Sequence, residues 1–382
     1  MGAEACTGEP LWVSSAAIAP VLAAPADRTD RGFVTEFDVS TLTARATEAA
    51  GRQWPGSAIS APSALPGGVS SLTYRAVLSR PGLPDAGIVL KMAPPGLEPV
   101  RNRDVLRQAR IIRLLGAAPG VRVPAILFEE SGTPERPPFF GMTLVDGQSY
   151  EPLLDEADSP PSADTVAVRA HRAAGMLARM QNLDPVALGV GDEPVVTVAE
   201  ELARWQRLLD TVDDDIAPRH AELHAALADR IPAPVAPTLL HGDYRLANML
   251  FAGENLAAII DWEIWSVGDP RTDLAWLLMH TDPVHRFRRT RSAADVAAGT
   301  GMPSRGELLA AYRAERDGPI PDLDWFLAYC HYKTASTISV FVKRNRRRAD
   351  PDASLIVAAD SLAEVVERGL AVLGQTSIAP SS

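Results

Sequence analysis

His241-Gly242-Asp243-Tyr244-Arg245-Leu246-Ala247-Asn248 runs directly into Met249-Leu250-Phe251, the polar tip Ala252-Gly253-Glu254-Asn255, and the apolar run Leu256-Ala257-Ala258-Ile259-Ile260, which ends on Asp261. Two short apolar runs joined by turn-forming residues predict an antiparallel hairpin. The residue that opens the first strand then lies beside the one that closes the second, so Asn248 and Asp261 come together, with Asp243 on the loop leading in. Two carboxylates and an amide oxygen are hard ligands of the kind that hold Mg²⁺ through a few contacts while substrate phosphates complete its octahedron. Phosphoryl transfer needs that set, with a separate carboxylate to align the attacking hydroxyl and accept its proton.

Upstream, Pro66-Gly67-Gly68-Val69-Ser70-Ser71-Leu72-Thr73-Tyr74 reads as a turn entering a strand, and Ile88-Val89-Leu90-Lys91-Met92 as a second strand. A helix is expected from Asp38, capped by Asp38 or Ser40 and ending near Gly51, and another between Asp104 and Leu115. Val121 to Phe128 and Phe139 to Val145 read as paired strands, closed by Asp146-Gly147. Beyond them the pattern is mostly helical; Ala173, Met176, Leu177 and Met180 form the core stripe of an amphipathic helix.

At 382 residues the chain exceeds the size of one ordinary core, so two packed units with a cleft between them are expected. A hydrophobic share of 46% against 22% charged excludes disorder of the whole chain. The net charge of -11 disfavours nucleic acid or an anionic membrane as main partner. Two cysteines, Cys6 and Cys330, offer neither a disulfide framework nor a thiolate cluster, which fits a cytoplasmic location. Leu11 to Ala24 is broken by Ser14, Ser15 and Pro20, and reads as part of an N-terminal arm rather than a leader.

The His241–Asn248 loop closely resembles the HGDxxxxN catalytic loop of the aminoglycoside phosphotransferase and choline kinase-like branch of the protein-kinase fold. The resemblance implies that Asp243 is the catalytic base and that Asn248 and Asp261 are magnesium ligands, with His241 supporting the loop. Asp261-Trp262-Glu263 looks like the family's DWE variant, and Gly268-Asp269-Pro270 with Asp273-Leu274-Ala275-Trp276 resembles its GDPxxDLA segment, where Asp269 and Asp273 are supporting residues and the second braces the catalytic loop. Gly67, Gly68, Ser70 and Ser71 fall in a segment similar to the nucleotide-covering loop. Lys91 matches the strand Lys on the α- and β-phosphates, and Met142 to Gly147, with Met142 and Val145, resembles the linker along adenine. Gln108 stands where a helix carboxylate should pair with Lys91, and Asp104 is the candidate substitute. Ser71 and Gln181 replace a usual Asn and His.

The resemblance implies an α+β, two-lobed protein-kinase-like fold: an arm over 1–34, a small β-rich lobe over 35–147, and a larger helical lobe over 148–382. The expected function is ATP- and Mg-dependent phosphorylation of a small-molecule hydroxyl. The Leu183-Asp184-Pro185 block and the run Trp325-Phe326-Leu327-Ala328-Tyr329 are most similar to the branch associated with acyl-CoA dehydrogenases. That points to a hydroxyacyl-CoA or related metabolite, with Lys343, Arg344 and Arg346 as candidate cations for its phosphates. The alternatives are an aminoglycoside kinase, for which Asp213-Asp214-Asp215 invites a cationic acceptor, and a catalytically weak pseudokinase. A two-metal phosphohydrolase lacks the further His and Asp clusters it would need. Taken singly, Asp213 to Asp215 read as a solvated loop and the basic run as a helix end that favours the dipole.

Overall fold

The computed structural model describes residues 39–65, 71–133 and 136–375. Helix α1 (Val39–Gln53) buries Leu42, Ala46, Ala49 and Ala50 on one stripe. Five strand segments and a helix follow it into the first lobe: β1 (Ala58–Ile59), β2 (Ser63–Ala64), β3 (Leu72–Arg80), β4 (Leu83–Met92), α2 (Val105–Ala117) and β5 (Ile126–Glu130), before β6 (Phe139–Thr143) completes it. The sheet order is β1-β3-β4-β6-β5 with β2 on β3, and every pairing is antiparallel. Arg45 fastens α1 to this sheet, since its buried guanidinium pairs with Glu130 at 2.7 Å and lies over the Phe139 ring. In register, Lys91 stands opposite Thr73 on one side and Phe140 on the other, in the middle of the sheet.

Local chemistry accounts for the differences from the sequence reading. β4 starts at Leu83 rather than Ile88, because Pro81-Gly82 makes a tight turn with Gly82 at φ 75° and carries pairing to the tip. Val121 to Ala125 lies outside the strand, which begins only at Ile126, after Pro124, a residue that has no N–H for a ladder. Gly51 lies inside α1, and Ser40 is a helical residue rather than a cap. Asp38, Gly67, Gly68 and Ser70 lie outside the described residues.

The second lobe contains α3 (Ala163–Gln181), α4 (Pro185–Leu188), β7 (Val195–Val196), α5 (Val198–Leu209), α6 (His220–Ala228), β8 (Thr238–Leu240), β9 (Met249–Ala252), β10 (Asn255–Ile259) and β11 (Ser266–Gly268). It closes with α7 (Arg271–Met279), α8 (Ala293–Gly299), α9 (Arg305–Arg313), α10 (Leu323–Arg346) and α11 (Ala353–Gln375). The expected stripe of α3 is buried in full. β9 and β10 form the expected hairpin, with Met249 opposite Ile259. β7, β8 and β11 make a small second sheet next to it. The architecture is α+β: a curled antiparallel sheet lobe joined to a helical one. One large apolar cluster runs from Ile111 and Phe140 through α3 and α7 to α10, while a smaller one unites α1 with the first sheet. Among the described residues no helix is long and apolar enough to cross a membrane.

Candidate active site

The loop between β8 and β9 is fixed from below by α7. Asp273, with 1% of its surface exposed, accepts the His241 and Gly242 backbone amides at 2.6 and 3.0 Å. Gly242 adopts φ 87°, and a Cβ there would approach the Ile264 carbonyl oxygen to 2.7 Å, so the turn admits glycine alone without strain. His241 Nε2 faces the Ile260 carbonyl at 2.8 Å and Nδ1 accepts the Asp243 amide at 3.2 Å. A carbonyl can only accept and an amide only donate, so this ring is the Nε2–H tautomer, tying the loop to the end of the hairpin. The Trp262 ring, fully buried, packs 4.6 Å from it.

Above this platform the Asp243 carboxylate accepts the Trp276 indole N–H at 2.7 Å and the Asn248 amide N–H at 2.8 Å, and Arg245 Nε lies 3.2 Å away. Its side chain keeps 28% of its surface exposed. Burial opposes its charge, but the cations of Arg245 and Lys333 outweigh that and hold the carboxyl well below the usual carboxylate range. Asn248 spends its amide N–H groups on the Asp243 carboxylate and carbonyl, which leaves its Oδ1 as the donor atom available to a cation. Asp261 follows β10 in the left-handed region at φ 65°, where its carboxylate meets Lys91 Nζ at 2.9 Å and stays 42% exposed. Burial disfavours the Lys91 ammonium, yet the carboxylates of Asp261 and Glu263 raise its pKa overall.

The Asn248 Oδ1 and the exposed Asp261 carboxylate suit a hard cation that a phosphate ligand completes. Among the described residues no group of His, Cys, Asp or Glu forms an all-protein metal cage. The linker after β6 is bonded at Leu144 to Gly87 and at Gln148 to Phe251; among the described residues no backbone bond uses Val145. Its amide and carbonyl are thus able to meet a flat polar ring.

Residues 62–309 match the model of the phosphotransferase enzyme family. The chain belongs to that family. Mouse acyl-CoA dehydrogenase family member 10 is 24% identical to this phosphotransferase over 69% of the chain and 25% of that relative's length. Human acyl-CoA dehydrogenase family member 11 is 24% identical over 65% of the chain and 32% of its own length. The chain thus spans a quarter to a third of these relatives. A Ralstonia eutropha structure provisionally named an aminoglycoside phosphotransferase superposes with a TM-score of 0.70 at 22% identity, covering 88% of this chain and 98% of that one. An aminoglycoside phosphotransferase in complex with ADP and hygromycin B gives 0.56 at 15% identity, covering 88% and 99%. At such identities the likeness is one of fold, and the fold is the two-lobed, kinase-like one.

Lys91, Asp243, Asn248, Asp261, His241 and Asp273 converge in this phosphotransferase, whereas Asp269 stands aside. It pairs with Arg271 at 2.6 Å and thereby anchors the start of α7. Ser71 is buried with its hydroxyl unpartnered, and Met142 lies on β6. The expectation that Asp104 pairs with Lys91 fails. Gln108 turns its amide to the Asn102 carbonyl, and Asp104 caps α2 by accepting the Arg107 amide at 3.0 Å. The carboxylate that touches Lys91 is Asp261. The basic run has partners within the protein: Arg346 pairs with Asp215 at 2.9 Å, Lys343 bonds the Thr211 carbonyl, and Arg344 lies over Phe341. The Arg346 and Lys343 contacts clamp the end of α10 to the loop after α5.

Sequence reasoning missed the residues that surround Asp243. Arg245 and Trp276 stood inside motifs already singled out, but nothing in the string says which way they face. Lys333 is a cation within the buried stretch of α10, and Glu151, fully buried, accepts the Ala247 amide at 3.2 Å. A cleft of about 730 Å³ reaches this loop at Gly242 and Lys333 and extends along α5, β7 and Ile264-Trp265.

Proposed function

We propose that this phosphotransferase moves the γ-phosphoryl group of ATP, in a magnesium-dependent reaction, onto a hydroxyl of a small molecule. The observation that carries the reading is the Asp243 carboxylate, held ionised and partly exposed between Asn248 and Trp276 beside the Lys91–Asp261 pair. In this reading Asp243 orients the acceptor hydroxyl and takes its proton. The hydroxyl oxygen bonds to the γ-phosphorus, the bond from that phosphorus to the β,γ-bridging oxygen breaks, and ADP leaves with those electrons. A carboxylate of such low basicity acts mainly as an aligning acceptor, which suits a loose transition state in which proton transfer comes late. Lys91 would hold the α- and β-phosphates, Gly67, Gly68, Ser70 and Ser71 would cover them, and Met142 and Val145 would line the adenine. A magnesium ion on Asn248 Oδ1 and Asp261 would neutralise phosphate charge.

For the acceptor we favour a hydroxyacyl-CoA or related metabolite over an aminoglycoside. Two relatives carry the name acyl-CoA dehydrogenase, and the matched segment is a minor part of each. The cleft beside Gly242 supports the choice. Its acidic residues are engaged: Glu193 with Arg107 and Arg110, Glu200 with Thr197, Glu201 with Arg204, Asp269 with Arg271, and Asp273 with the loop amides. Glu263 lies in the field of Lys91. Such a lining offers little to several ammonium groups. The test is ADP release from the purified chain across hydroxylated acyl-CoA thioesters, free hydroxy acids and kanamycin-like antibiotics, with and without magnesium. Magnesium-dependent release with an acyl acceptor supports the reading; release with antibiotics alone overturns its acceptor half.

A further inference from the structure

Lys333 enters the chemistry above only through space, by its charge on Asp243. Only 7% of its surface is exposed, yet it lines the cleft beside the catalytic loop. Its ammonium donates to the Gly242 carbonyl at 2.6 Å and lies 4.2 Å from the centre of the Trp276 ring, the same ring whose N–H holds Asp243. Among the described residues no carboxylate comes within ion-pair distance of it, so two of its three N–H donors have no protein acceptor. The Asp243 and Asp273 carboxylates act on this ammonium only through space, and its unspent donors are costly to bury unless something else supplies an oxygen.

The rest of the cleft says what that oxygen is attached to. Val195, Val198, Ile264 and Trp265 give it apolar walls. At its rim Arg204 and Arg207 stand nearly one turn apart on α5, both exposed, Arg204 paired with Glu201 and Arg207 without a side-chain partner among the described residues. The Arg344 and Arg346 end of α10 lies roughly 15–20 Å further along that helix. We infer that Lys333 binds the C1 oxygen of a hydroxylated acyl group lying along the apolar walls, and that Arg207 meets an anionic group carried beyond it. The C1 oxygen is a carboxylate in a free hydroxy acid and a carbonyl in a thioester. This rests on the acceptor reading above but names the residues that recognise the acyl group.

Calorimetric titration of the full chain tests it without turnover, using a medium-chain hydroxyacyl-CoA, the matching free hydroxy acid, and kanamycin as a cationic control. Lys333→Met should weaken both acyl ligands by about 10–100-fold, the scale of a hydrogen bond to a charged group, while Lys333→Arg restores most of the affinity. Arg207→Ala should weaken the CoA thioester by about tenfold and leave the free acid unchanged. ATP affinity, measured on each variant, should not move, which separates ligand recognition from a collapsed loop. Equal acyl binding in Lys333→Met and wild type overturns the inference, as does a wild type that binds kanamycin and neither acyl ligand. Loss that Lys333→Met shows but Lys333→Arg fails to restore also overturns it, as a structural role of Lys333 would produce that result. Acyl binding without phosphoryl transfer from ATP would instead refute the proposed function and leave this site standing.

Discussion

At the scale of single residues the site depends on which charges are compensated. Asp243 is held low by Arg245 and Lys333, so its own titration does not shape activity near neutral pH. Asp243→Asn should retain nucleotide binding and lose about 10²–10⁴ in turnover, the usual contribution of a positioned base; steady-state rates with a working acceptor and a nucleotide titration check both halves. Glu151 behaves in the opposite sense. Burial pushes its carboxyl from 4.5 up to about 8 against the pull of Arg245, so the folded chain holds a proton there that the unfolded chain has released. Folding therefore takes up a proton between those values, and stability falls as pH rises from 4.5 towards 8, then levels off. Glu151→Gln should flatten that slope and raise the melting temperature at pH 8.5 more than at pH 5; parallel profiles for the two proteins would contradict it. Asp243, Asn248 and Asp261 were legible because motif and hairpin spacing bring them together. Lys333 and Glu151 were not, because their roles come from tertiary neighbours distant in sequence.

At the scale of elements the decisive device is the β8–loop–β9–β10 unit, whose backbone is pinned at both ends. Asp273 takes the loop amides, and the Ile260 amide donates to the Asn248 carbonyl at 2.9 Å. Gly242→Ala forces a Cβ against the Ile264 carbonyl at a positive φ, and should cost about 1–3 kcal/mol of stability with a larger loss of turnover. Denaturant unfolding beside kinetics measures the two losses separately. The hairpin was readable because Gly253 and Asn255 punctuate two apolar runs. The first-lobe strands were readable in kind but not in extent: pairing with β3 carries β4 out to Leu83 through a solvent-facing stretch that has no apolar alternation. The contact between Lys91 and Asp261 was hidden for a related reason. It joins two lobes across 170 positions, and no periodicity within either element encodes it.

For the whole molecule, the two lobes present Lys91 from one side and Asn248, Asp243 and Asp261 from the other, so a ligand that bridges them should bind the folded chain alone. ATP with magnesium at about 100 times its dissociation constant should then add about 2.7 kcal/mol to stability. Asp261→Ala should abolish the magnesium-dependent part and Asn248→Ala should reduce it, as read by thermal melts with and without the metal. The lobed architecture could be anticipated from length and from the change of strand pattern to helix pattern, whereas the cleft beside Gly242 is formed by α5, β7 and α10, whose mutual placement no local pattern specifies. The most direct measurement is transfer of label from γ-labelled ATP to a hydroxylated acyl acceptor, compared between wild type and Asp243→Asn. Magnesium-dependent label is expected in the organic product of the wild type, and at least about a hundredfold less in the variant. Undiminished transfer by Asp243→Asn would contradict it.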